Sequence, residues 1–87
     1  MIRIEYWMFD CCCDVCKSNA IRVFSGVDAE EEAIKSAREF REEILAGVYD
    51  EEWEMEPKQR EDAADDVSLY EVWISGAGIK KREQIGF

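Results

Sequence analysis

The sequence predicts an α+β fold: an antiparallel sheet of three to four strands packed on one main helix. Three observations carry that prediction. Residues 28–46, DAEEEAIKSAREFREEILA, form one long helical period. Residues 2–9 and 67–74 are short stretches rich in β-branched and aromatic residues. Between helix and last strands lies a polar, strongly acidic stretch, residues 48–66. The expected order is β-β-α-β-β with an acidic, partly helical insert, all within a single small domain spanning residues 1–87.

In residues 2–9, Ile2, Ile4, Tyr6 and Met8 alternate with Arg3, Glu5, Trp7 and Phe9. That is a strand by period, polar on one face at its start and apolar on both faces at its end. After the connection DCCCDVCKSN, residues 20–25 read as a second strand, with Ile21 and Val23 on one face and Phe24 on the other. Two strands joined in this way suggest a long-looped antiparallel hairpin.

The helix signal is the strongest in the chain. Ala33, Ile34, Ala37, Phe40, Ile44 and Leu45 fall on one stripe at helical spacing. Asp28, with Glu31 three residues on, has the spacing of a capping box. Glu30, Glu31 and Glu32 lie at the positive end of the helix dipole. Gly47 follows the last periodic residue and suits the left-handed closing position.

Beyond Gly47, residues 50–56 are expected to make a turn or two of helix pinned by Trp53, and Pro57 to open a second short helix running through Ala63 and Ala64. Residues 67–74, VSLYEVWI, form the clearest strand after the first. Ser75-Gly76-Ala77-Gly78 breaks it, and residues 79–87 return as an edge strand guarded by Lys80, Lys81 and Arg82.

Charge is the most informative compositional feature. The 87 residues hold 21 acidic and 11 basic side chains and no histidine, a formal charge of −10. Such a chain is repelled by nucleic acid and by anionic membrane surfaces, so a basic protein surface is the expected partner. Residues 48–66 alone contain nine acidic and two basic residues. Asp50, Glu51, Glu52, Glu54, Glu56, Glu61 and Asp62, with Trp53 as an aromatic anchor, are the candidate partner-binding residues. Carboxylates can occupy the places of phosphates, because arginine and lysine pair with either. The expected partner is therefore a nucleic-acid-binding protein. The chain would act on it as a non-enzymatic inhibitor, comparable in size and charge, though not in sequence, to phage-encoded antagonists of host defence such as anti-CRISPR proteins. The bland reading of the same residues is a solvated face that keeps the protein dispersed. An accessory subunit that joins a larger assembly through its sheet edge or helix is a further reading.

The second candidate is the cysteine cluster. Cys13-Asp14-Val15-Cys16 has the C-x-x-C spacing of a tetrahedral metal site, with Cys11 and Cys12 beside it. Cys11, Cys12, Cys13 and Cys16 are the candidate zinc ligands, completed within one chain or between the two chains of a homodimer. A redox role for the same motif is weakened by Asp10 and Asp14, which oppose thiolate formation. Buried or free structural thiols are the plain alternative. Cysteines confined to residues 11–16 do not make a disulfide framework, which points to a reducing, cytoplasmic setting.

Catalysis has little support. Histidine is lacking for acid–base work at neutral pH, and Ser75-Gly76-Ala77-Gly78 lacks the length and lysine of a phosphate loop. The N-terminal residues show no uninterrupted apolar targeting segment.

Overall fold

The structure, a computed structural model, describes residues 1–10 and 20–87. Its described elements are β1 (Arg3–Phe9), β2 (Arg22–Phe24), α1 (Ala29–Leu45), α2 (Arg60–Asp65), β3 (Ser68–Ser75) and β4 (Gly78–Ile85), with a single 3-10 turn, Pro57–Gln59, leading into α2. The fold is α+β, with one main helix. A second, short helix stands between α1 and β3, where the sequence predicts a partly helical insert.

The sheet has four antiparallel strands in the order β2-β1-β3-β4. The first strand is therefore central, hydrogen-bonded to β2 on one side and to the distant β3 on the other. Tyr6 lies opposite Phe24 and Glu71, and Met8 opposite Arg22 and Leu69. Residues directly opposite share a face. This register puts Tyr6, Met8, Phe24 and Leu69 on the helix side, and Phe9, Tyr70, Val72 and Ile74 on the other. Both faces bury apolar groups: Met8 and Leu69 are fully buried on the first, Phe9 and Val72 on the second. Phe9 meets Tyr70 edge-on at 5.6 Å between ring centres. The two-sided end of β1 seen in the sequence is this double burial.

The inward stripe of α1 is Ala29, Ala33, Ala37, Phe40 and Ile44. Spacings of four, four, three and four keep these residues on one line along the helix. Three alanines at its start let α1 lie close on Tyr6 and Met8, and Phe40 and Ile44 fill the wider space toward its end. Leu45, expected on the stripe, is turned outward and 46% exposed, because Ile44 already takes the inward direction. Asp28 makes no side-chain cap: at φ −103° and ψ 19° its backbone is outside the extended range that a capping side chain uses. Its carbonyl still accepts the first helical bond, from Glu32 N at 2.9 Å. The reciprocal capping box occurs instead at Glu56 and Gln59, on either side of Pro57 and Lys58.

Polar ties fix the helix over the sheet. Arg22 of β2 donates to Ser36 Oγ at 2.7 Å and lies over the Phe40 ring. Tyr6 Oη contacts Glu71 at 3.1 Å and Glu30 at 3.4 Å, linking β1, β3 and the first turn of α1. One phenolic proton faces two carboxylates. Burial, and then the hydrogen bond to Glu71, push the Tyr6 hydroxyl up to about 12. A folded-state value above the unfolded one, which is about 10, gives stability that is present below pH 10. It is lost as pH rises toward 12. Absorbance titration at 295 nm should show a tyrosine step near pH 12 or together with unfolding. In Tyr6→Phe that late step should disappear, and the unfolding free energy should fall by about 0.5–1.5 kcal/mol.

Candidate functional site

The candidate acidic surface starts where α1 stops. Gly47 takes φ +87°, the left-handed conformation. Gly47 N then bonds Ile44 O at 3.1 Å, and Val48 N bonds Glu43 O at 3.1 Å. This pair of bonds closes the helix and satisfies its last carbonyls. The chain turns back through residues 46–54, and Tyr49 and Trp53 fold against Phe40. Tyr49 and Trp53 stack at 4.7 Å with 18° between planes, and Phe40 meets both edge-on. The Tyr49 hydroxyl donates to Glu43 at 2.9 Å; burial and that bond raise its pKa. Trp53 is half-buried. Its ring is engaged inside the molecule, which leaves the carboxylates as the outward part of the candidate surface.

The nine acidic residues of this stretch fall into two groups. Asp50 is the paired one. Arg60, from the start of α2, grips it with Nε at 3.2 and 3.1 Å from the two carboxylate oxygens, and with Nη2 as well. The Arg60 hydrogen bonds hold the Asp50 carboxyl below its usual range. Glu56 is engaged by the capping box and by Lys58 Nζ at 3.2 Å. Asp65 approaches Arg41 at 3.5 Å, and Asp66 is engaged elsewhere. The second group is Glu51, Glu52, Glu54, Glu61 and Asp62, all exposed. Glu54 has φ 50°, a left-handed conformation unusual outside glycine.

The structure also enlarges the surface that the sequence suggested. Residues 28–66, which supply both helices and the turns between them, contain 16 acidic and five basic residues, a charge of −11. The remaining positions hold five acidic and six basic residues, a charge of +1. The helical layer thus carries all of the net charge. Glu31, Glu32, Glu39 and Glu42 on the outer side of α1 are exposed and belong to the same field. A running charge count would have shown this; attention to residues 48–66 alone concealed it. Arg60 as the partner of Asp50 had no signal in the sequence, since a ten-residue separation implies no contact.

Cys11, Cys12, Cys13 and Cys16, the candidate zinc ligands, lie outside the described residues. Among the described residues, no three His, Cys, Asp or Glu side chains converge to hold a metal ion. Among the same residues, no helix is long and apolar enough to cross a membrane. Comparison with protein-family models, with curated proteins and with solved structures found no match for this chain.

Gly47 and the Asp50–Arg60 pair are coupled. A β-carbon on residue 47 would stand 2.5 Å from Arg60 Nη2 and 2.9 Å from its Cζ. Gly47→Ala therefore strains the backbone and displaces the guanidinium from Asp50. It should lower the unfolding free energy by about 1–3 kcal/mol in urea titration. In an Arg60→Ala background the same substitution should cost less, because only the backbone strain remains.

Proposed function

We propose that the protein is a non-enzymatic docking module whose acidic helical layer binds a basic surface of a nucleic-acid-handling protein, in the place that phosphates would occupy. The observation that carries this reading is the segregation of charge: −11 on residues 28–66 against +1 elsewhere. Simple solubility needs no such separation, since charge scattered over all faces serves it as well. Glu51, Glu52, Glu54, Glu61 and Asp62 stand on a frame held by the Phe40–Tyr49–Trp53 cluster and the Asp50–Arg60 pair. A pre-ordered frame lowers the entropy lost when the carboxylates meet arginine and lysine. Among the described residues, the members of this group make no ion pair of their own, so their charge is available to a partner.

Docking of this kind is steered by long-range attraction and weakens as salt screens it. The test is affinity capture from nuclease-treated lysate, comparing the wild type with Glu51→Lys/Glu52→Lys/Glu54→Lys. The wild type should retain nucleic-acid-binding proteins, release them below about 0.5 M salt, and lose them to heparin as a competing polyanion. The triple variant should retain none. Equal capture by the variant, or capture that survives both high salt and heparin, would overturn the reading.

A further inference from the structure

The outer edge of β4 offers a second kind of surface. Among the described residues, no strand pairs with that edge, so one whole side of an eight-residue strand is open. Every residue of β4 but Ile85 is exposed. Open strand edges are templates for pairing with another chain, and proteins commonly guard them with lysine. Lys80, Lys81 and Arg82 look like such a guard. A guard works when like charges meet, however, and the order of charges here does something else.

Read outward from Arg82, the segment Gly78-Ile79-Lys80-Lys81-Arg82-Glu83-Gln84-Ile85-Gly86 repeats Ile and Gly at its outer positions, sets Lys80 against Gln84, and sets Lys81 on one side against Glu83 on the other. Lys81 and Glu83 lie on the same sheet face, opposite Trp73 and Glu71 respectively. Within one chain their head groups are 3.1 Å apart. We infer that β4 pairs antiparallel with β4 of a second copy of this chain, about a two-fold axis at Arg82, so that Lys81 of each copy faces Glu83 of the other.

In that arrangement the two Lys81 and two Glu83 side chains form a square of alternating charge on one face. Each lysine touches its own Glu83 and the other copy's. Arg82 meets its symmetry mate on the opposite face, as the single like-charged pair; it is already engaged within its own chain. The bulge between Ile79 and Lys81 turns Ile79 to the face of Ile74, away from the face that Ile85 shares with Leu69. Charges rather than isoleucines therefore set the register. The bulge also shortens the regular ladder, so the dimer is a weak, concentration-dependent one.

The large negative charge does not oppose this contact. Helix α1 packs chiefly over β1, β2 and β3. Joining two β4 edges sets the two β1 strands about 24 Å apart at ordinary strand spacing. That separation is well beyond the screening length of about 8 Å at physiological salt. The strand that meets its copy carries three cations and one carboxylate, so the two Lys81–Glu83 pairs across the axis have to offset the repulsion of the remaining cations.

The test is sedimentation equilibrium over a range of protein concentrations, with circular dichroism to verify folding, on the wild type, Lys81→Glu and Glu83→Lys. The wild type should rise toward twice the monomer mass with concentration. Each single variant faces like charges across the axis, and its dissociation constant should rise at least about tenfold. An equimolar mixture of the two variants should recover association. In the mixed pair, one chain presents carboxylates at both positions 81 and 83, and the other presents ammonium groups at both. A wild type that stays monomeric throughout would overturn the inference. So would single variants that associate like the wild type, or a mixture that gains nothing over its components.

Discussion

Close contact between the alanine strip of α1 and the centre of the sheet is the constraint on which the rest of the structure depends. Ala29, Ala33 and Ala37 have no bulk to hold the helix away, so Tyr6, Met8 and Leu69 are sealed beneath it. Larger side chains there would lift α1, expose the Met8–Leu69 pair across β1 and β3, and overpack a core of this size. Phe40 lies on the same inward stripe, one turn before the fully buried Ile44. It serves as the base for Tyr49 and Trp53, and through them positions the whole turn region that follows. The outward carboxylates are ordered because inward aromatic rings are packed.

This division of labour explains why a highly charged chain can fold. The inner sides of the helices and turns are apolar or paired, and the charge is displaced to their outer sides. Asp50 is the exception that proves useful to the fold: its pair with Arg60 ties the turn after α1 to the start of α2, directly beside the glycine that ends α1. The strands carry almost no net charge and supply the frame. The acidic helical layer and strand β4 differ in the sign of their charge.

Much of this was legible in the sequence, for identifiable reasons. Helix α1 and strands β1 and β3 have periods that local sterics and burial enforce over many residues. Gly47 was legible because the left-handed closing position selects glycine. The short helix after Pro57 followed from proline chemistry, whereas residues 46–54 form turns and no helix lies within 50–56, where the sequence predicts a turn or two of helix. What was not legible depends on distant contacts. The pairing of β1 with β3 joins residues about 65 positions apart, and no local pattern announces it. The outward turn of Leu45, the missing side-chain cap at Asp28 and the inward stacking of Trp53 were each decided by how neighbouring groups filled space. The acidic surface was half legible: its charge was plain, but its extension over α1 needed the two helices to be seen as one layer.

The proposed docking requires the carboxylates of the helical layer to be held exposed and close together, at some cost to the fold. Thermal unfolding at low protein concentration, between about 20 mM and about 300 mM sodium chloride, tests it most directly. If like charges crowd one layer without compensating partners, screening relieves their repulsion and the midpoint rises with salt. A midpoint that falls would show that the layer is instead knit together by ion pairs, and would contradict the account.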